Sequence, residues 1–151
     1  NLIVTETNEN LQSVFDVNFI TPYILTKEWL KSRLARKQPG HVIFISSICS
    51  KRAFKGLSVY SCSKSAINTF SKSIALEMGK KGIRSNVVVP GYMKTNLSGQ
   101  LTKDQLIKIQ NKCPMKRLAR INEVVSSVKF LINESTFSNG SEIVIDGGYI
   151  L

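Results

Sequence analysis

Three side chains near the middle of the chain have types and spacings that could move a proton. Ser47 stands at the tail of the apolar run "HVIFISS" (His41 to Ser47), Tyr60 follows thirteen residues later, and Lys64 four residues after that. Residues four apart on a helix share a face, about 6 Å apart along the axis at about 1.5 Å per residue. An ammonium beside a phenol stabilises the phenolate and lowers a pKa that is otherwise about 10. The spacing therefore predicts that Lys64 lowers the pKa of Tyr60 and makes it a general acid or base. The first turns of a helix add a positive dipole end that favours an anion. Taken alone, a Y-x-x-x-K pair is a weak signal that more often describes a solvated pair on a helix face. Ser47 shifts the balance: a residue at the carboxyl end of a buried strand lies where open α/β sheets bind ligands. The loop 48–59 can return Tyr60 to its side, so that both hydroxyls grip one carbonyl oxygen.

The elements that must position these groups follow from periodicity. Leu11, Val14, Phe15, Asn18, Leu25, Trp29 and Leu30 recur at helical spacing and predict a helix over 10–36, bent at Pro22 and ended by Gln38–Gly40. The run 41–47 reads as a strand buried on both faces, hence parallel. Ala66, Ile67, Phe70, Ile74 and Met78 give one apolar face to a helix over 60–80, which Gly82 stops. "IRSNVVVPG" predicts a second buried strand over 83–91. A helix over 101–113, another capped by Asn122, and a strand and turn over 141–148 complete the order. Helices alternating with parallel strands over short connections indicate an α/β sheet with flanking helices.

Two further segments fall at the ligand edge or close to it. Asn18, in "DVNFI", is an amide among apolar neighbours that weakens a helix and needs a reason, the structural one being a buried amide satisfied by local backbone. Pro90-Gly91-Tyr92-Met93-Lys94-Thr95 follows the second strand, and its backbone could meet a flat amide ring. His41, the only histidine, begins a strand with nothing nearby in sequence to pair with it and reads as structural.

Only three strands are visible, and no G-x-G-x-x-G turn opens any helix. The expectation is that residues 1–151 form the C-terminal half of a doubly wound Rossmann-type parallel sheet, with earlier strands upstream of Asn1.

Composition narrows the function classes. The chain has 151 residues and a net charge of +11, from 21 basic and 10 acidic residues spread along its length. No basic cluster interleaved with aromatics suggests nucleic-acid binding, and no apolar run approaches the roughly 20 residues of a membrane span. Cys49, Cys62 and Cys113 form no metal-ligand pattern. Their odd number argues for a reducing, cytoplasmic setting.

The motifs together resemble the short-chain dehydrogenase/reductase family. The resemblance rests on Val17-Asn18, "ISS" at Ile45 to Ser47, "YSCSK" at Tyr60 to Lys64, "IRSNVVVPGYMKT" at Ile83 to Thr95, and "IVIDGG" at Ile143 to Gly148. It covers the family's C-terminal part; the family's glycine-rich cofactor turn has no counterpart here. The resemblance implies NADP or NAD as cofactor and a single NAD(P)-binding domain. It implies Tyr60 as acid/base, Lys64 as its partner and a ligand of the nicotinamide ribose, and Ser47 as the group that polarises a substrate carbonyl. Asn18 would hold a relay water, while Pro90, Gly91, Met93 and Thr95 would line the nicotinamide side. It also implies a homo-oligomer, a dimer or tetramer. The tail 113–148 resembles 3-oxoacyl-[acyl-carrier-protein] reductases, and 46–64 is also similar to L-xylulose and carbonyl reductases. Expected substrates are accordingly a small carbonyl compound or an acyl thioester. The alternative role is a non-catalytic oligomerisation fragment, and the isolated 151 residues are expected not to turn over.

Overall fold

In the computed structural model, residues 1–93 and 102–151 are described. They place three parallel strands in sequence order, β1 (Gly40–Ile45), β2 (Ile83–Pro90) and β3 (Glu142–Ile145). β1 pairs with β2 from Gly40↔Ile83 to Ile45↔Val88, and β2 pairs with β3 from Val87↔Glu142 to Pro90↔Ile145. The helices are α1 (Asn8–Phe15), α2 (Thr21–Ala35), α3 (Ser58–Met78), α4 (Lys103–Lys112) and α5 (Ile121–Asn133). The chain is an α/β fold of Rossmann type, as its alternating pattern implies.

Strand alternation divides the core in two. Ile83, Val87 and Val89 project from one face of β2 into a cluster with Leu30 of α2, Phe44 of β1, and Ile67 and Ile74 of α3. Val88 projects from the other face and packs against Val124 and Leu131 of α5. β2 is covered on both faces, as expected. β1 is not: Ile45 remains 46% exposed. It lies on the face opposite Phe44, where α5 packs against β2 and β3.

The predicted long helix is interrupted before its proline. Thr7 caps α1 by accepting the Asn10 amide, and a π-helical turn, Asp16–Ile20, separates α1 from α2. The α-helical donor to the Asn18 carbonyl would be the amide of residue 22, which proline lacks. A π turn falls at this point: the Thr21 amide bonds to the Asp16 carbonyl, five residues back. Two other expectations change. β1 stops at Ile45 rather than Ser47. The residue at the cap of α5 is Arg120 rather than Asn122, because the Glu123 carboxylate reaches back to the Arg120 amide at 2.7 Å. Gly82 ends the turn after α3 in the left-handed region, at φ 73°, as a stop glycine should. His41 is structural but not alone: its Nε2 accepts from Asn86 Nδ2 at 2.8 Å.

Candidate active site

Ser47, Tyr60 and Lys64 meet at the carboxyl edge of the sheet. Past the end of β1, the Ser46 amide still donates to the Val88 carbonyl at 2.8 Å, so the strand direction continues. Ser47 is extended, at φ −159° and ψ 156°, and caps a short 3-10 turn, Ile48–Ser50. Its Oγ accepts the Cys49 amide at 3.2 Å. Its carbonyl accepts the Ser50 amide at 2.9 Å and the Ser50 hydroxyl at 2.6 Å.

Tyr60 lies in the first turn of α3, half-buried, and Lys64 one turn along. The Lys64 ammonium sits 5.8 Å from the centre of the Tyr60 ring and donates to the Ile45 carbonyl at 3.1 Å. The Ser46 hydroxyl donates to the Lys64 carbonyl at 3.2 Å, tying the end of β1 to α3. The two side chains therefore share a face, as their spacing predicts.

The electrostatics depart from expectation. Burial pushes the Tyr60 phenol above its ordinary value; the Ser47 hydroxyl works against this and the Cys49 thiol adds to it. Burial also pushes the Lys64 ammonium down. The Lys64 ammonium makes its hydrogen bond to the Ile45 carbonyl and lies over the Tyr60 ring face.

Asn18 lies within the π turn, and its Nδ2 donates to Ser63 Oγ at 3.1 Å. Ser63 in turn donates to the Tyr60 carbonyl at 2.8 Å. The amide is thus satisfied by a side chain from α3 and not by local backbone. Ser63 was not singled out from sequence. A serine three residues after Tyr60, on the buried side of α3, is its only sequence signal.

Pro90 ends β2, and the Ile45–Val88 register carried two residues on puts it level with Ser47. The Gly91 amide donates to the Ile145 carbonyl at 2.9 Å. A Cβ on Gly91 would lie 2.8 Å from the Asp146 Cα, so this position takes only glycine without a backbone shift. Met93 bridges to Ala119. Thr95 lies outside the described residues. Tyr92, Tyr149 and Phe54 form an aromatic cluster beside these strand ends, with Tyr92 and Tyr149 centred 5.1 Å apart. Their sequence separation hid this cluster.

Residues 1–150 match the family described as enoyl-(acyl carrier protein) reductase. The chain belongs to the short-chain dehydrogenase/reductase family. Among short-chain dehydrogenase/reductase relatives, it is 35% identical over 149 residues to the 3-oxoacyl-[acyl-carrier-protein] reductase FabG of Buchnera aphidicola subsp. Schizaphis graminum, covering 98% of this chain and 61% of that protein. It is 34% identical over 146 residues to carbonyl reductase [NADPH] 2 of Sus scrofa, covering 95% of this chain and 57% of that protein. Among solved structures it is similar to a 4-hydroxyisoleucine dehydrogenase mutant complexed with NADH and succinate, with a TM-score of 0.96 at 29% identity, covering 99% of this chain and 63% of that one. The chain thus spans about three fifths of the length of these family members.

The donor set suits the nicotinamide end of a dinucleotide. Among the described residues, the Lys64 ammonium donates to a single acceptor, which leaves two of its three N–H groups for ribose hydroxyls. No helix among the described residues is long and apolar enough to cross a membrane.

Proposed function

We propose that the protein carrying this chain is an NAD(P)-dependent oxidoreductase that interconverts a carbonyl compound and the corresponding secondary alcohol. The convergence of Ser47, Tyr60 and Lys64 at the carboxyl edge of the parallel sheet carries this reading. A bound nicotinamide dinucleotide supplies or accepts the hydride. The Tyr60 phenol, kept protonated by burial, donates its proton to the substrate oxygen, and the Ser47 hydroxyl orients that oxygen. Lys64 holds the ribose and keeps an ammonium near the phenol as it loses its proton. Proline at position 22 deprives the Asn18 carbonyl of its helical donor, so this carbonyl is suited to hold a relay water. Pro90, Gly91 and Met93, at the end of β2 and just past it, line the nicotinamide side.

The substrate we favour is a 3-oxoacyl thioester on an acidic carrier, in keeping with the FabG likeness and the net charge of +11. A small carbonyl or sugar ketone is the second reading, favoured by the likeness to carbonyl reductases and to the D-erythrulose reductase of Gallus gallus. We place the protein in the cytoplasm as a homo-oligomer, with the exposed Val17, Ile24 and Leu25 of the helical layer available for a second copy. A spectrophotometric screen of the whole protein, with NADH and NADPH against acetoacetyl thioesters and sugar ketones, tests the reading. Oxidation of either cofactor by one substrate class and not the other selects between them; no oxidation with any carbonyl substrate refutes both.

A further inference from the structure

A chain of hydrogen bonds leads from β3 to Ser47. It starts at Glu142, whose side chain is only 9% exposed. A carboxylate that deep requires partners. Lys51 and Lys72 supply them at 2.5 and 2.6 Å. The third partner is Asn68 on α3, itself buried, whose Nδ2 donates to Glu142 Oε2 at 2.6 Å.

The direction of the protons follows from that contact. A carboxylate only accepts, so the Asn68 amide must present its NH2 and not its oxygen to Glu142. The same Nδ2 donates to Ser50 Oγ at 2.9 Å. Ser50 Oγ, now an acceptor, turns its own hydrogen to the Ser47 carbonyl at 2.6 Å. Among the described residues Asn68 Oδ1 is buried with no partner, a cost that the opposite amide orientation would shift onto an oxygen facing a carboxylate. The Ser50 carbonyl accepts from Ser65 Oγ at 3.2 Å, so the same turn is fastened to the helix that carries Tyr60 and Lys64.

We propose that Glu142 is a positioning residue for Ser47: its charge orders the Asn68 amide and the Ser50 hydroxyl, and that order fixes the turn bearing Ser47 against α3. The proposal rests on the catalytic reading of Ser47 above.

The test is a set of double-mutant cycles in the whole protein. Glu142→Gln, Asn68→Ala and Ser50→Ala are expected each to lower kcat about tenfold, since small misplacements of reacting groups are costly, with the cofactor KM unchanged. In a Ser47→Ala background the same substitutions are expected to change kcat by less than about twofold, because their route to the substrate has been removed. Losses as large in that background as in the wild type would overturn the proposal, as would an unchanged kcat in all three single variants. Should Glu142→Gln fail to fold, Ser50→Ala carries the cycle, since it deletes one hydroxyl. If Ser47→Ala itself keeps full turnover, the catalytic reading fails, and this inference with it. If Ser47→Ala is impaired while the three variants are silent, only this inference fails.

Discussion

The Lys64 ammonium lies 5.8 Å from the centre of the Tyr60 ring, yet its hydrogen bond goes to the Ile45 carbonyl and not to the phenol. The pair is adjacent without being directly coupled through hydrogen bonding. Burial pushes the phenol above its ordinary value.

The first prediction concerns pH. Carbonyl reduction needs the protonated phenol, and a pKa pushed up by burial keeps it protonated through neutrality. The kcat/KM for reduction should be flat across neutral pH and fall only in the alkaline range. Alcohol oxidation, which needs the phenolate, should rise with pH. A reduction profile that falls by half near neutral pH would contradict a Tyr60 whose proton is held by burial.

Lys64→Ala should damage two steps at once. The ammonium lies beside the phenol, and in the proposed function it also holds the ribose hydroxyls. Losing it should lower kcat by about a hundredfold or more and weaken cofactor binding as well. Equilibrium binding by fluorescence and steady-state rates separate the two effects. A variant with a full loss of kcat and native cofactor affinity would remove Lys64 from the ribose.

His41 predicts an acid-sensitive fold. Burial, reinforced by the Arg84 charge, pushes its pKa from the ordinary value of 6.5 down to about 4. Between those values the unfolded chain binds the proton and the folded chain does not, so stability falls as pH drops from about 6.5 to 4 and levels off below. The reason is visible in the contact: the Asn86 NH2 donates to Nε2, which must stay unprotonated. His41→Gln, which can accept from Asn86 without titrating, should flatten this part of the profile. Urea unfolding of both proteins across that pH range makes the comparison, and identical slopes would contradict the assignment.

Gly91→Ala should destabilise by about 1–3 kcal/mol, the usual cost of forcing a methyl into filled space. The obstacle is the Asp146 backbone, 2.8 Å from the new Cβ, which no rotamer change can move aside. Thermal melting is the check, and an unchanged midpoint would show that the β2–β3 end yields easily.

Much of this arrangement was legible in the sequence because it is periodic or local. The apolar face of α3 and the buried run of β2 appear where their spacing places them, and Tyr60 and Lys64 share a face because a helix turns every 3.6 residues or so. What was hidden depends on contacts between distant segments. Asn18 reaches Ser63 across 45 residues, and Asn68 reaches Glu142 across 74. Spacing showed that Lys64 lies beside Tyr60 but not that its hydrogen bond goes to the Ile45 carbonyl. The sequence misplaced the helix break because Pro22 marks the missing donor, whereas the backbone adjusts one turn earlier, around the carbonyl left without it.

The most direct test is single-turnover hydride transfer in the whole protein, comparing the wild type with Tyr60→Phe under saturating cofactor and carbonyl substrate. The phenylalanine keeps the ring under the Lys64 ammonium and removes only the proton donor. The transfer rate should fall by about a hundred- to ten-thousandfold while cofactor affinity stays within about twofold. A Tyr60→Phe protein that transfers hydride at the wild-type rate would contradict the account.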